Sequence, residues 1–364
     1  AAPGEAQQPR VIPNPTGSGL RCSAGVRPDL PANALEVVPQ DNSDEYSYLD
    51  WRAGVEYDLA KDSLLYFTAT TGHHAGGFND TAPGAAPGEL YNSTYKPESV
   101  LAFELGSKNQ FFDRRLRLNG SAFVYSYKDM VFQTIAGVGN GMDSGDVSNM
   151  AQAAPNTAVR QNAPNATPIY GFDLDAIYGL PAGLEAEAHL LLMDAKFKKG
   201  TIARDTRISN IPSENYNVDL GGNWIPRVSP YTINYTLSQL ISTTAGSFNW
   251  VIQGQTRGTQ YMTVYNGNGK TLPPAPGEPI PNSVTYQILQ RPGLAQRLTD
   301  IVPTYTRFDV GVGWKHPDGR ISINGFVNNV TNVAYSTSLI STPGLNLRFV
   351  NPPRTAGVRF RVDW

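Results

Sequence analysis

Alternation of apolar and polar side chains, residue by residue, is the feature that most limits how this chain can fold. In the C-terminal stretch Ala356, Val358, Phe360, Val362 and Trp364 share one parity, while Thr355, Gly357, Arg359, Arg361 and Asp363 share the other. A period of two sends successive side chains to opposite faces of a β-strand. One such strand would suit any half-buried sheet, but the pattern recurs along the chain. Leu49, Trp51, Ala53, Val55 and Tyr57 alternate with Asp50, Arg52, Glu56 and Asp58. Tyr170, Phe172, Leu174, Ala176 and Tyr178 face away from Asp173 and Asp175. Leu184, Ala186, Ala188, Leu190 and Leu192 oppose Glu185, Glu187 and His189. Phe248, Trp250 and Ile252 oppose Asn249, Gln255 and Arg257. Phe308, Val310, Val312 and Trp314 oppose Arg307 and Asp309, and Ile321, Ile323 and Val327 oppose Asn324 and Asn328.

About eleven strands follow from this reading, and one is irregular. Over Leu116–Phe132 the apolar pair Leu116 and Leu118 has the opposite parity to Phe123, Tyr125 and Tyr127, which predicts a bulge near Gly120. Between the strands the connections alternate in length, about 4–6 residues and then about 20–40, as short periplasmic turns and long extracellular loops do in an outer-membrane barrel. Residues 1–46 and the stretches 134–167, 198–229, 266–303 and 331–353 are rich in Pro, Gly, Asn and Ser and are expected to be loops. The division that results is an extracellular loop region, 1–46, followed by a barrel region, 47–364.

A sheet of this kind has no partner layer, because no amphipathic helical pattern is present to cover its apolar face. A membrane would cover it. No stretch approaches the roughly 20 consecutive apolar residues of a membrane helix, but barrel strands alternate and hide from average hydropathy. The apolar parity of the clean strands carries no charge, and an Arg or Lys there would cost about 2–4 kcal/mol at mid-bilayer. Tyr57, Tyr178, Phe248, Trp314 and Trp364 all fall at the short-turn end of their strands, where an interfacial aromatic girdle belongs. The fold expected is all-β: a transmembrane antiparallel barrel. Eleven is odd, whereas antiparallel bacterial barrels normally close on an even number. The chain therefore reads as the C-terminal half of a larger, roughly 22-stranded barrel.

Composition removes several function classes. Net charge is −2 over 364 residues, so the basic excess of a nucleic-acid-binding surface is missing and no nucleic-acid partner is expected. Cys22 is the single cysteine, which rules out an internal disulfide framework and a cysteine-based zinc site. No Gly-x-Ser-x-Gly elbow, phosphate loop or His-Glu-x-x-His helix occurs, and neither an enzyme nor a cofactor is expected.

Several stretches resemble the TonB-dependent outer-membrane receptors. They are Trp51-Arg52-Ala53-Gly54-Val55-Glu56-Tyr57 with Leu65-Tyr66-Phe67-Thr68 and Gly76-Gly77-Phe78-Asn79, and Tyr95-Lys96-Pro97-Glu98-Ser99 with Phe103-Glu104-Leu105-Gly106. Phe123-Val124-Tyr125-Ser126-Tyr127-Lys128-Asp129-Met130, Asn328-Asn329-Val330-Thr331-Asn332 and Pro352-Pro353-Arg354 continue the match. Their order and spacing over about 48–364 carry the resemblance more than any one of them does. The resemblance implies residence in the bacterial outer membrane and import of a scarce nutrient such as a ferric siderophore. It implies energy coupling through the TonB-ExbB-ExbD system acting on a plug domain, and it places the plug and the first barrel half outside this chain. The expected partners are outer-membrane lipid, the barrel assembly machinery at the C-terminal strand, and a small-molecule or metal-chelate ligand.

Candidate site residues follow from position. His73 and His74 sit in a Gly-rich extracellular segment where they would meet a ligand, but neighbours on a strand point opposite ways, so the pair is not expected to hold a metal. Asp173, Asp175, Glu185, Glu187, His189, Gln255, Arg257, Asn324, Asn328 and Arg359 are expected to line the lumen as a hydrated wall. Two other readings stay open: a passive outer-membrane pore or translocator, and a secreted all-β glycan-binding protein. An upstream plug would disfavour the first, and solubility without detergent would favour the second.

Overall fold

The computed structural model describes residues 11–13, 34–36, 43–79, 94–137, 156–205, 216–266, 300–342 and 345–364. Eleven strands form one sheet: β1 (Arg52–Ala60), β2 (Ser63–His74), β3 (Glu98–Phe111), β4 (Leu116–Lys128), β5 (Thr167–Gly179), β6 (Leu184–Ala195), β7 (Tyr231–Thr243), β8 (Gly246–Arg257), β9 (Tyr305–Lys315), β10 (Ile321–Asn328) and β11 (Thr355–Val362). Each strand pairs antiparallel with its neighbours in the chain, so the sheet is an unbroken meander from β1 to β11. Consecutive antiparallel strands need only a tight turn at one end. Those turns, at 61–62, 112–115, 180–183, 244–245 and 316–320, all lie at one rim. The tightest backbone is at 112–114, where Phe112, Asp113 and Arg114 have φ of 53°, 53° and 67°. Three consecutive left-handed residues without glycine cost roughly 1–2 kcal/mol each. The guanidinium of Arg114 holds the turn down by donating to Asp62 Oδ1 at 3.0 and 3.3 Å.

The register keeps the two faces separate through every pair. Val55, Phe67, Leu105, Ala122 and Phe172 lie in one apolar row across β1–β5. Trp250, Val312, Gly325 and Val358 form another across β8–β11. This apolar face is uncovered: Val358 is 76% exposed and Phe360 63%. Several polar groups that fall on it bond one another or the backbone. The Trp250 indole donates to Gln239 Oε1 at 3.0 Å, and Asn109 Nδ2 donates to Ser107 Oγ at 2.9 Å and to the Leu118 carbonyl at 3.2 Å.

The bulge expected near Gly120 is absent. Pairing of β4 runs without a shift against both β3 and β5. Leu116, Leu118, Ala122 and Val124 take the apolar face, and Phe123, Tyr125 and Tyr127 take the polar one. The reason is cross-strand: Phe123 lies opposite Gly171, and its ring occupies the space a side chain there would need, with Cζ 2.0 Å from the position of a Cβ. A glycine on the facing strand accepts an aromatic that the polar face would otherwise leave exposed. Tyr66 lies over Gly106 and Phe326 over Gly357 in the same way. Nor does β4 extend to Phe132. It stops at Lys128, and Asp129 (φ 54°) turns the chain into a separate strand, Val131–Gly137.

The long connections are more ordered than loops. Each contains a two-stranded hairpin detached from the main sheet. Gly77–Phe78 pairs with Thr94–Tyr95, Val131–Gly137 with Asn156–Asn162, and Ile202–Asp205 with Tyr216–Asp219. Gln260–Tyr261 pairs with Ile301–Val302, and Ser336–Thr342 with Leu345–Val350. Within residues 1–46, Val11–Pro13 pairs with Ala34–Glu36, and much of the rest of that stretch lies outside the described residues. The buried core is here, above the sheet. Met130, Phe132, Ala163, Phe197, Val218, Leu220, Val264 and Tyr265 pack together from three successive connections. Burial of such side chains is worth about 1.5–3 kcal/mol each.

Candidate functional site

The candidate residues lie on the polar face of the sheet and in the hairpin cluster above it. Register aligns Lys108, Asn119, Asp175, His189, Asn234, Gln255 and Arg307 across β3–β9, each directly opposite the next. With strands about 4.8 Å apart, that row spans on the order of 30 Å. It brings Asp175, His189 and Gln255 into one line. His189 Nε2 lies 2.9 Å from Asp173 Oδ2, and Gln255 Nε2 donates to Asn234 Oδ1 at 2.8 Å. Arg307 clasps Asp309 with both ends of its guanidinium, at 3.1 and 2.9 Å, while the Asn329 N–H donates to the same carboxylate at 2.6 Å. Asn324 stands opposite Arg359. Arg257 Nη2 donates to the Arg227 carbonyl at 3.0 Å, toward the hairpin end of β8. Glu185 and Glu187 face Ser238 and Thr236 on β7, and Asn328 faces Thr355 on β11.

His73 and His74 are not brought together. His73 lies opposite Ser99 and His74 opposite Glu98, on different faces of β2. His73 is also engaged: its Nδ1 lies 2.7 Å from Asp50 Oδ1, and its ring stacks on Tyr48 at 4.6 Å. Tyr46 continues that stack at 6.2 Å and donates to Asp44 Oδ2 at 2.6 Å. The Asp44 carboxylate accepts the phenolic proton, and burial adds to the effect, so the Tyr46 pKa rises to about 12. Among the described residues no group of three or more His, Cys, Asp or Glu is arranged to hold a metal.

At the short-turn rim Phe248 and Trp314 are direct cross-strand partners, and the Trp314 indole donates to the Ala245 carbonyl at 3.0 Å. Tyr178 lies opposite Leu116 and 6.5 Å from Phe112. Tyr57 is 66% exposed, and Trp364 is fully exposed. All five aromatics stand at the same end of the sheet; Tyr57, Tyr178, Phe248 and Trp314 share its apolar parity, and Trp364 follows the end of β11.

The residues that organise the hairpin cluster are asparagines, which alternation did not single out. Asn79 exchanges two hydrogen bonds with the Arg160 backbone, at 2.8 and 2.9 Å. Asn162 does the same with Lys96, at 2.7 and 2.8 Å, and Asn266 with Trp224, at 2.6 and 2.9 Å. A carboxamide carries one acceptor and two donors, so it can pair with a peptide group of another segment as a strand would. The density of asparagine in the Gly/Pro-rich stretches was the available signal.

Comparison with known proteins places this geometry. The family model for the TonB dependent receptor-like β-barrel matches residues 16–330. The catecholate siderophore receptor Fiu of Escherichia coli is 30% identical over 112 residues, which are 29% of this chain and 14% of Fiu. Among solved structures, the ferric-catecholate import receptor Fiu from E. coli K12 superposes over 96% of this chain at TM-score 0.56 and 15% identity. The ferric yersiniabactin uptake receptor FyuA from Yersinia pestis does so over 86% at TM-score 0.55 and 18% identity. The siderophore receptor PiuA from Acinetobacter baumannii does so over 90% at TM-score 0.56 and 14% identity. The chain spans 37–39% of the length of those structures. A family match over most of the chain, on an unbroken eleven-strand meander, makes this an outer-membrane β-barrel protein belonging to the TonB-dependent receptor family.

Proposed function

We propose that this chain is the C-terminal part of the barrel of a TonB-dependent transporter that imports a ferric siderophore, of catecholate type in the first instance. The observation that carries the reading is the family match over residues 16–330 on a sheet whose apolar face is bare of charge between its rims. The local 30% identity to a catecholate receptor supports the ligand class. In this reading the apolar face meets lipid. The five rim aromatics form the periplasmic girdle. The polar face, with Asp173, Asp175, Glu185, Glu187, His189, Gln255, Arg257, Asn324, Asn328 and Arg359, lines the lumen. His73 and His74 sit at the extracellular mouth. His73 there anchors residues 44–50 through Asp50 and Tyr48, which leaves His74 as the histidine open to a ligand. The wall binds and guides and does no covalent chemistry. A plug domain and the TonB-ExbB-ExbD system supply gating and energy, and the barrel assembly machinery reads β11.

The test is uptake of iron-loaded catecholate by cells that carry the whole receptor and lack their own. Accumulation that stops when a protonophore collapses the proton-motive force is the expected result. Uptake indifferent to the protonophore would replace the transporter reading with a passive pore.

A further inference from the structure

We propose that the polar wall is electrically divided, and that it is filled by a folded plug domain with a basic face toward β1–β6 and an acidic face toward β7–β11. The proposal rests on the reading that this face lines the lumen. Taking the polar parity through every register pair, β1–β6 contribute eight carboxylates and three cations. Strands β7–β11 contribute one carboxylate, Asp309, and five cations, Arg257, Arg307, Lys315, Arg359 and Arg361.

The division survives local pairing. Asp309 is taken up by Arg307 and Arg361 pairs with Asp363, but no ion pair among the described residues joins the two sectors. On the acidic side Asp175, Glu185 and Glu187 make no ion pair or side-chain hydrogen bond among the described residues, and on the basic side Arg359 makes none. Like charges gathered on adjacent strands repel one another, and fields focus inside a low-dielectric cavity. A partner with the opposite distribution relieves that repulsion, and electrostatic complementarity of this kind sets orientation more than affinity. A domain so charged has one favoured rotation within the barrel. A lumen of this size is too wide for wall side chains alone to fill, and the relatives have more than half their length beyond what this chain covers.

The experiment uses the full-length receptor, purified and inserted in planar bilayers, with urea raised until plug release opens channels. One variant reverses the acidic sector, Glu185→Lys with Glu187→Lys. A second reverses the basic sector, Lys315→Glu with Arg359→Glu. Heat-modifiable migration on gels reports barrel assembly separately. The expected result is that both variants assemble and both open at lower urea than the wild type, as the wild type itself does in 1 M KCl. An unchanged opening threshold in either assembled variant overturns the division. Failure of both variants to assemble, while Glu185→Gln with Glu187→Gln also fails, would mean that these positions do not face a lumen, and would overturn the underlying reading along with the proposal.

Discussion

His189 stands directly across the ladder from Asp175, yet its Nε2 reaches diagonally to Asp173 Oδ2, 2.9 Å away. Diagonal neighbours on one face of a sheet are within reach of a long side chain. Both partners remain about two-fifths exposed. Exposed pairs contribute about 0–1 kcal/mol. Asp173→Ala and His189→Ala are therefore expected to leave the urea midpoint of barrel unfolding within about 1 kcal/mol of the wild type, measured by tryptophan fluorescence. A larger loss would show that the pair holds the β5–β6 hairpin in place.

Phe360 lies opposite Ile323 on the uncovered face. An arginine there meets hydrocarbon at a cost of about 2–4 kcal/mol near mid-bilayer. Phe360→Arg is expected to abolish the heat-modifiable barrel band, whereas Arg359→Gln, one residue away on the other face, is expected to keep it. Equal assembly of the two would sink the assignment of faces.

Gly171 has no room for a side chain, because the Phe123 ring already occupies the site. Gly171→Leu is expected to destabilise the barrel by about 1–3 kcal/mol through overpacking. Adding Phe123→Ala should restore part of that loss, and a double-mutant cycle on unfolding midpoints measures the coupling. Additive effects would mean that the ring does not depend on the glycine.

Asn162 ties the hairpin that follows β4 to the segment before β3 through Lys96, and closes the hairpin's own base through the Asp129 carbonyl. Asn162→Ala leaves the Lys96 N–H without that acceptor, a loss of about 1–3 kcal/mol. The expected signature is faster hydrogen exchange at Lys96 and Ala163 with no change in the strand amides.

Tyr46 titrates at about 12 in the folded chain, against 10.0 for an ordinary phenol, because Asp44 holds its proton. Its folded pKa is raised, so its contribution to stability is complete below pH 10 and is lost as pH climbs from 10 to 12. The difference in phenolate absorbance between wild type and Tyr46→Phe should rise only above pH 11. Asp44→Asn should bring that rise back toward pH 10.

What alternation alone determined was the local half of the fold. The hydrophobic period assigns each side chain to a face, and Gly, Asp and Pro mark where strands must turn. The eleven strands, the short turns that join them and the separation of apolar from polar side chains were therefore legible in the amino-acid order. Strand pairing is non-local, and there the reading of Leu116–Phe132 broke down. Apolar character at Phe123, Tyr125 and Tyr127, opposite in parity to Leu116 and Leu118, suggested a bulge near Gly120. In the sheet, Gly171 on β5 made room for Phe123 on the polar side without a bulge. The hairpins within the long connections were hidden for a related reason. Their strands are short and lack a clean period, and they are held by carboxamides such as Asn79 and Asn162 bonding to backbone far away in the chain. The division of charge between β1–β6 and β7–β11 also belongs to the tertiary structure. No strand supplies more than three charges to that face and some supply none, so register alone decides which of them stand side by side.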